Sequence, residues 1–218
     1  LNVVLTALKI ETATLSTEAM DVVVDTAFPR VIQYNMKGAN DGKTFYGQVT
    51  QLDTLKINGV SVKPVVTAQT EGSKITYTMT VQDEGNNIDA VITAEMVAQG
   101  NTLAFNITDL TYGEKADKVN HPVESIEIPN HSLISVRSTQ AGAELAAARL
   151  GSSTIQSGDT FLAVDGDLNV NSVNNQGYMY AFLSNSELSA GISSNSDAGS
   201  GAAGSNNYRL TVTAQDRG

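Results

Sequence analysis

The chain has 218 residues, a length that suits one large domain or two small ones. It contains no cysteine, which excludes disulfides, thiolate zinc sites and cysteine nucleophiles together. Lys and Arg number 13 against 23 Asp and Glu, and the net charge of -10 repels phosphate backbones, so neither nucleic acid nor an anionic membrane is an expected partner.

No apolar run approaches the roughly 18 residues of a membrane helix. The chain opens at Leu1 without a basic-then-apolar leader and stops at Gly218 shortly after a strand-like stretch. That is the pattern expected of a domain excised from a longer polypeptide.

The dominant hydrophobic period is two. Met20 to Asp25 and Arg30 to Tyr34 read as short strands, rich in β-branched residues. Leu55 to Val62 reads as a hairpin, because Asn58-Gly59 supplies the two positive φ angles of a type I′ turn between alternating runs. Lys74 to Val81 and Thr102 to Ile107 are further strands, with Glu71-Gly72, Gly85-Asn86-Asn87 and Gly100-Asn101 as the punctuation. Residues 123–128 predict another strand, with His121 and His131 near its ends. Ala141 to Leu150 is the one helix candidate: its alanine content favours helix, although Gly142 intrudes.

Toward the C-terminus, Gly177 to Leu183 predicts a strand with Tyr178, Tyr180 and Phe182 on one face. Ser196 to Ser205 has almost nothing to bury and predicts a mobile loop. Strand character resumes at Tyr208 to Thr213, so that loop lies inside the domain. About fifteen strand candidates against one helix predict two stacked antiparallel sheets in an all-β sandwich, a single domain over 1–218. No fixed-period repeat points to a propeller or a β-helix.

Candidate chemistry is sparse. Asp165, Asp167, Asn169 and Asn171, near Asp159, superficially follow a calcium loop, but Val170 and Gln176 stand where the EF-hand needs Gly and Glu, which leaves a solvated turn. His121 and His131 have no third partner at a ligand spacing, so surface or edge positions are expected and no metal is. No Gly-x-Ser-x-Gly elbow, phosphate loop or dinucleotide fingerprint is present, so neither a catalytic residue nor a cofactor is assigned. Arg137 ends an apolar run and predicts an ion pair or a cleft position. Tyr178, Tyr180 and Phe182 would make a carbohydrate platform if exposed; a strand buried on both faces gives the same letters, and core is the favoured reading.

The longer blocks, taken in order, carry a resemblance. Ala27 to Tyr34, Phe45 to Gln48, Leu55 to Thr67, Ile88 to Thr108 and Ile126 to Ser138 are followed by Ser157 to Asp159, Gly177 to Tyr180, Leu188 to Gly191 and Ser194 to Ser196. Together they resemble the non-catalytic β-domain that precedes the barrel in bacterial endo-α-N-acetylgalactosaminidases, glycoside hydrolase family 101. Ser193 stands where that pattern would place an aromatic.

The resemblance implies a galactose mutarotase-like β-supersandwich of two large antiparallel sheets. It implies a secreted or cell-surface parent enzyme that releases galactose-β-1,3-N-acetylgalactosamine from Ser or Thr of mucin-type glycoproteins with retention of configuration. The carboxylates for that reaction would belong to an adjacent (β/α)8 barrel, the implied partner, and the fragment itself would be monomeric. A different class remains open: a free-standing carbohydrate-binding or adhesion module using Tyr178, Tyr180 or Phe182. A stand-alone aldose mutarotase would need a His and Glu set in a cleft.

Overall fold

A computed structural model describes residues 10–129, 131–136, 140–150, 161–167, 177–178, 180–193 and 210–211. Among them the regular structure is strand, with two single-turn 3-10 segments and no α-helix. The chain divides into two compact units, Leu1–Ile134 and Ser135–Gly218.

The first unit runs through β1 (Thr12–Ser16), β2 (Met20–Asp25), β3 (Arg30–Met36), β4 (Thr44–Tyr46), β5 (Leu55–Ile57), β6 (Val60–Val62), β7 (Val65–Glu71), β8 (Lys74–Asp83), β9 (Ile88–Gln99), β10 (Thr102–Tyr112) and β11 (Ile126–Glu127). These make three antiparallel sheets: β1-β2-β3-β4, β10-β9-β8-β7 and β11-β5-β6.

Strict alternation builds the core. Ile75, Tyr77, Met79 and Val81 of β8 are buried on the same face as Met96, Ala94, Ile92 and Ala90, their cross-strand partners on β9. Leu55, Ile57 and Val62 of the three-stranded sheet and Phe28 of the β2–β3 loop cluster with Met79, Val81, Ile92 and Ala94 of that face. Each such side chain removed from water stabilises the fold by roughly 1.5–3 kcal/mol. The opposite face of β8 presents Lys74, Thr76, Thr78 and Thr80, all half-buried. Two hydrogen bonds tie the first sheet to the second: Tyr77 Oη donates to the Asp25 carbonyl at 2.6 Å, and Thr17 Oγ1 to the Gly100 carbonyl at 2.7 Å.

The turns follow the sequence closely. Asn58 and Gly59 have φ of 49° and 81° and join Ile57 to its ladder partner Val60, the type I′ hairpin. Asn58 does more than turn the chain: its Oδ1 accepts from the Glu124 and Ser125 amides at 2.8 and 3.0 Å, and its Nδ2 donates to the Pro122 carbonyl at 2.8 Å. Those amides are satisfied by a side chain rather than a ladder. The strand expected over 123–128 therefore shrinks to β11.

The second unit contains β12 (Glu144–Leu150), β13 (Phe161–Asp167), β14 (Gly177–Tyr178), β15 (Tyr180–Ser184), β16 (Ser189–Ser193) and β17 (Leu210–Thr211). One antiparallel sheet has the order β13-β12-β15-β16, and β14 pairs with β17. The expected helix over Ala141 to Leu150 is wrong. Gly142, at φ 66°, breaks the backbone before it, and β12 then pairs on both edges. Two ladders outweigh alanine's preference, which amounts to less than about 1 kcal/mol per residue. Asp165 and Asp167 are strand residues of β13, paired with Ala146 and Glu144, and not part of a turn. Asp159, Asn169, Asn171, Arg137 and the segment Ser196 to Ser205 lie outside the described residues.

Candidate functional site

The most heavily built polar feature is a buried ion pair on the β2–β3 hairpin. Asp25 and Arg30 are direct ladder partners where the two strands part. A bulge between Val23 and Val24 shifts the register, so that Val24 and Asp25, and across from them Arg30 and Val31, are all buried. Arg30 Nη2 lies 2.6 Å from Asp25 Oδ2 and Nε donates to the same oxygen at 3.1 Å, with the two side chains 1% and 3% exposed. Arg30 Nη1 donates to the carbonyls of Gln48 and Val49 at 2.8 and 3.2 Å. Asp25 Oδ1 accepts from the Ala27 amide at 2.8 Å. Gly47 makes this closure possible, since a Cβ there would overlap the Val31 carbonyl. Burial pushes the Tyr77 phenol well above its ordinary value, and the Asp25 carboxylate adds to the effect while Arg30 opposes it. One atom is left over: Gln48 Oε1 is sealed from solvent without a partner.

His131 is not the surface or edge residue expected. Its ring stands edge-on to Phe105, with centroids 5.1 Å apart and planes at 72°. Burial pushes the imidazole down to about 4, against a hydrogen bond to the Pro29 backbone that acts the other way. Proline offers only a carbonyl, so the imidazole donates, and the sealed, unpartnered Nε2 identifies Nδ1 as the donor. Nearby, Tyr34 Oη donates to the Leu133 carbonyl at 2.8 Å. Both contacts hold the last residues of the first unit.

His121 sits elsewhere, on the rim of a cleft of about 170 Å³ in the first unit. The β5–β6 hairpin contributes Ile57 and Val60, the start of β9 contributes Ile88 and Asp89, the end of β10 contributes Tyr112, and the chain after β10 contributes Val123. No group of three or more His, Asp or Glu positioned to hold a metal ion occurs among the described residues.

In the second unit the run that carries the three aromatic candidates is divided between two sheets. Tyr178 belongs to β14, which pairs with β17, whereas Tyr180 and Phe182 belong to β15, between β12 and β16. The ladder changes partners within the run expected as one strand. Phe182 is 56% exposed, so the core reading does not hold for that ring. It lies opposite Gly191, where an added Cβ would meet its Cε1 and Cδ1 at 3.4 and 3.5 Å. The ring therefore lies beside a position with no side chain, flanked on β16 by exposed Ser189 and Ser193. Among the described residues the other exposed large apolar side chains are Ile10, Val49, Val65 and Val119, each on a separate segment.

A family model for a galactose mutarotase-like fold domain matches residues 15–218, nearly the whole chain. The chain belongs to this family. Its membership accords with the all-β, antiparallel architecture, and it says nothing by itself about chemistry. Within this galactose mutarotase-like domain, Asp25 and Arg30 are spent on each other and on nearby backbone groups, and the half-buried His131 has its Nε2 sealed from solvent. Among the described residues, the lining of the cleft and the Phe182 ring are open to a solute. Sequence reasoning considered neither Asp25–Arg30 nor the cleft. The signal for the first was present: opposite charges bracketing a four-residue loop at the buried ends of two apolar strands.

Proposed function

We propose that this galactose mutarotase-like domain is a non-catalytic module of a secreted or cell-surface endo-α-N-acetylgalactosaminidase. Its role there is to brace the adjacent (β/α)8 barrel, which removes galactose-β-1,3-N-acetylgalactosamine from mucin-type glycoproteins. Residues 1–218 act as one monomeric module, and the O-glycoprotein meets it only through the parent enzyme. Supporting this are the ordered sequence blocks of the resemblance and the family membership.

The observation that carries the reading is the fate of the charges. The carboxylate and guanidinium with the densest hydrogen bonding among the described residues, Asp25 and Arg30, are 3% and 1% exposed and committed to structure. A wide sheet sandwich supports a neighbouring cleft more rigidly than a loop can. The test compares this chain alone with the same chain joined to its barrel, on a core-1 disaccharide aryl glycoside. The isolated chain should release no aryl alcohol above background; turnover near that of the joined protein refutes the reading.

A second reading, a carbohydrate-binding or adhesion module, is favoured by one observation, the 56% exposure of Phe182. Sugar rings stack their C–H faces on such side chains. Binding on a mucin-glycan array that disappears in Phe182→Ala would move the assignment to this class.

A further inference from the structure

The cleft beside His121 sets a carboxylate against an apolar floor, and neither the barrel-bracing role nor the Phe182 surface uses it. Ile57, Val60, Ile88 and Val123 make the floor, and Asp89 is the acid in the lining. The volume of about 170 Å³ is close to the roughly 150 Å³ that holds one benzene molecule. One side chain fits; a stretch of polypeptide does not.

Asp89 is fixed in place. Its Oδ2 accepts from the Lys115 amide at 2.9 Å and its backbone carbonyl from the Gly113 amide at 2.9 Å, while a Cβ on Gly113 would overlap both carboxylate oxygens. Asp89 Oδ1 keeps its acceptor capacity free among the described residues. So do the side chains of Asn87 and His121, and Asn86 directs its Nδ2 to Asp83 at 2.8 Å and keeps its Oδ1 open. Two lining groups are already engaged: the Asn58 amide by the backbone of 122–125, and Tyr112 Oη by the Val123 amide at 2.8 Å.

Charge decides what such a cleft accepts. A neutral ligand that closed it would take the Asp89 carboxylate out of water with nothing to balance it, which is costly. An anion would add repulsion, in a chain of net charge -10. A cation answers both, and Lys115 does not supply it, being engaged by Glu84. An ammonium is a strongly hydrated point charge, whereas a guanidinium is weakly hydrated, spreads its donors in a planar fork that several acceptors can share, stacks on rings such as Tyr112 and His121, and rides on an aliphatic stem suited to the floor. The rim extends the match beyond one side chain. Glu84, Glu114, Asp117 and Glu124 are exposed on the bordering segments, against Lys115 and Lys118, and Val119, two residues before His121, is 82% exposed. We infer that this cleft docks an arginine side chain presented by a basic segment of a partner polypeptide. The inference is independent of the barrel-bracing reading and stands or falls separately.

Titrating the isotope-labelled full chain with a short peptide that carries one arginine between lysines tests it, with backbone amide shifts as the readout. The shifts should gather on residues 86–89 and 112–123. Citrulline in place of the arginine, a neutral group of the same shape, should weaken binding at least about tenfold, and lysine in its place about fivefold. Asp89→Asn, which keeps an acceptor for the Lys115 amide, should weaken binding about tenfold, the effect of one charge-assisted hydrogen bond. Gly113→Ala, which displaces the carboxylate, should do the same. Absence of shifts at the cleft with about millimolar arginine peptide, roughly the weakest affinity a specific contact would show, overturns the inference. So do equal binding of the citrulline or lysine peptide, shifts scattered over the acidic surface, or full affinity in both Asp89→Asn and Gly113→Ala; the peptide exchanges need no protein variant to fold.

Discussion

Asp25 and Arg30 face each other across the β2–β3 ladder with 2.6 Å between charged atoms and almost no exposure to water. Taking two charges out of water is costly, and the pair is stable only because Gln48, Val49 and Ala27 complete its hydrogen bonding. Removing one partner strands the other. Arg30→Met should therefore destabilise the first unit by roughly 3–5 kcal/mol, and Asp25→Asn by a similar amount. Arg30→Lys should recover little, because an ammonium cannot serve the carboxylate and two carbonyls at once. The double variant Asp25→Asn/Arg30→Met should be milder than the sum of the singles. Urea midpoints of the four variants against the unsubstituted chain decide it, and a loss below about 1 kcal/mol in Arg30→Met would show that the pair contributes little to the fold.

Gly47 belongs to the same construction through close approach. Its missing Cβ lets the end of β4 lie against Val31, which puts the Gln48 and Val49 carbonyls over the guanidinium. Gly47→Ala should cost roughly 1–3 kcal/mol through forced backbone displacement. The loss should be strongly non-additive with Arg30→Met, since both break one network. A double-mutant cycle showing simple additivity would separate the glycine from the ion pair.

Much of the strand layout was legible because alternation and turn chemistry are local. Met20 to Asp25 was read to the residue, and the Asn58-Gly59 turn adopts the two positive φ angles its side chains permit. Long-range partners were not legible. Nothing within Ala141 to Leu150 announces that two other strands will flank it, so alanine's local preference misled. The same holds for Gly177 to Leu183, where a change of ladder partner splits one expected strand into β14 and β15. The cleft escaped for a related reason: its walls come from three segments that only the folded chain brings together.

His131 makes stability depend on pH. The folded imidazole is pushed down to about 4 from an ordinary value of 6.5, so between those values the unfolded chain takes up a proton that the folded chain refuses. Stability is therefore full above about pH 6.5 and falls as pH drops toward 4, by on the order of 3 kcal/mol at about 1.4 kcal/mol per pKa unit. In His131→Phe this slope should flatten, at the cost of the Pro29 hydrogen bond. Urea titrations at pH 7.0 and 4.5 on both proteins measure it, and parallel pH dependence would show that another group is responsible.

Asn58 carries two duties that substitution can separate. Asn58→Gly keeps the type I′ turn but deletes the side-chain bonds to Pro122, Glu124 and Ser125. It should leave amide protection in β5 and β6 intact while the 123–126 amides exchange about fivefold faster, for roughly 1 kcal/mol of lost local stability. Asn58→Ala should add the strain of positive φ and lower the protection of the hairpin too. Equal exchange profiles in the two variants would mean that the turn alone matters.

Phe182 distinguishes a packed strand from a presented one. A phenylalanine buried in a sheet core loses about 3–5 kcal/mol on truncation to alanine, through transfer and cavity terms together. At 56% exposure, beside a glycine, the ring has little enclosed surface to lose. Phe182→Ala should therefore cost less than about 1 kcal/mol. Gly191→Ala should be tolerated as well, because its Cβ would sit 3.4–3.5 Å from the ring, ordinary contact distance. Thermal unfolding of both variants is the measurement. A large loss in Phe182→Ala would mean that the ring is covered in solution, and that the platform reading has no ring to stack on.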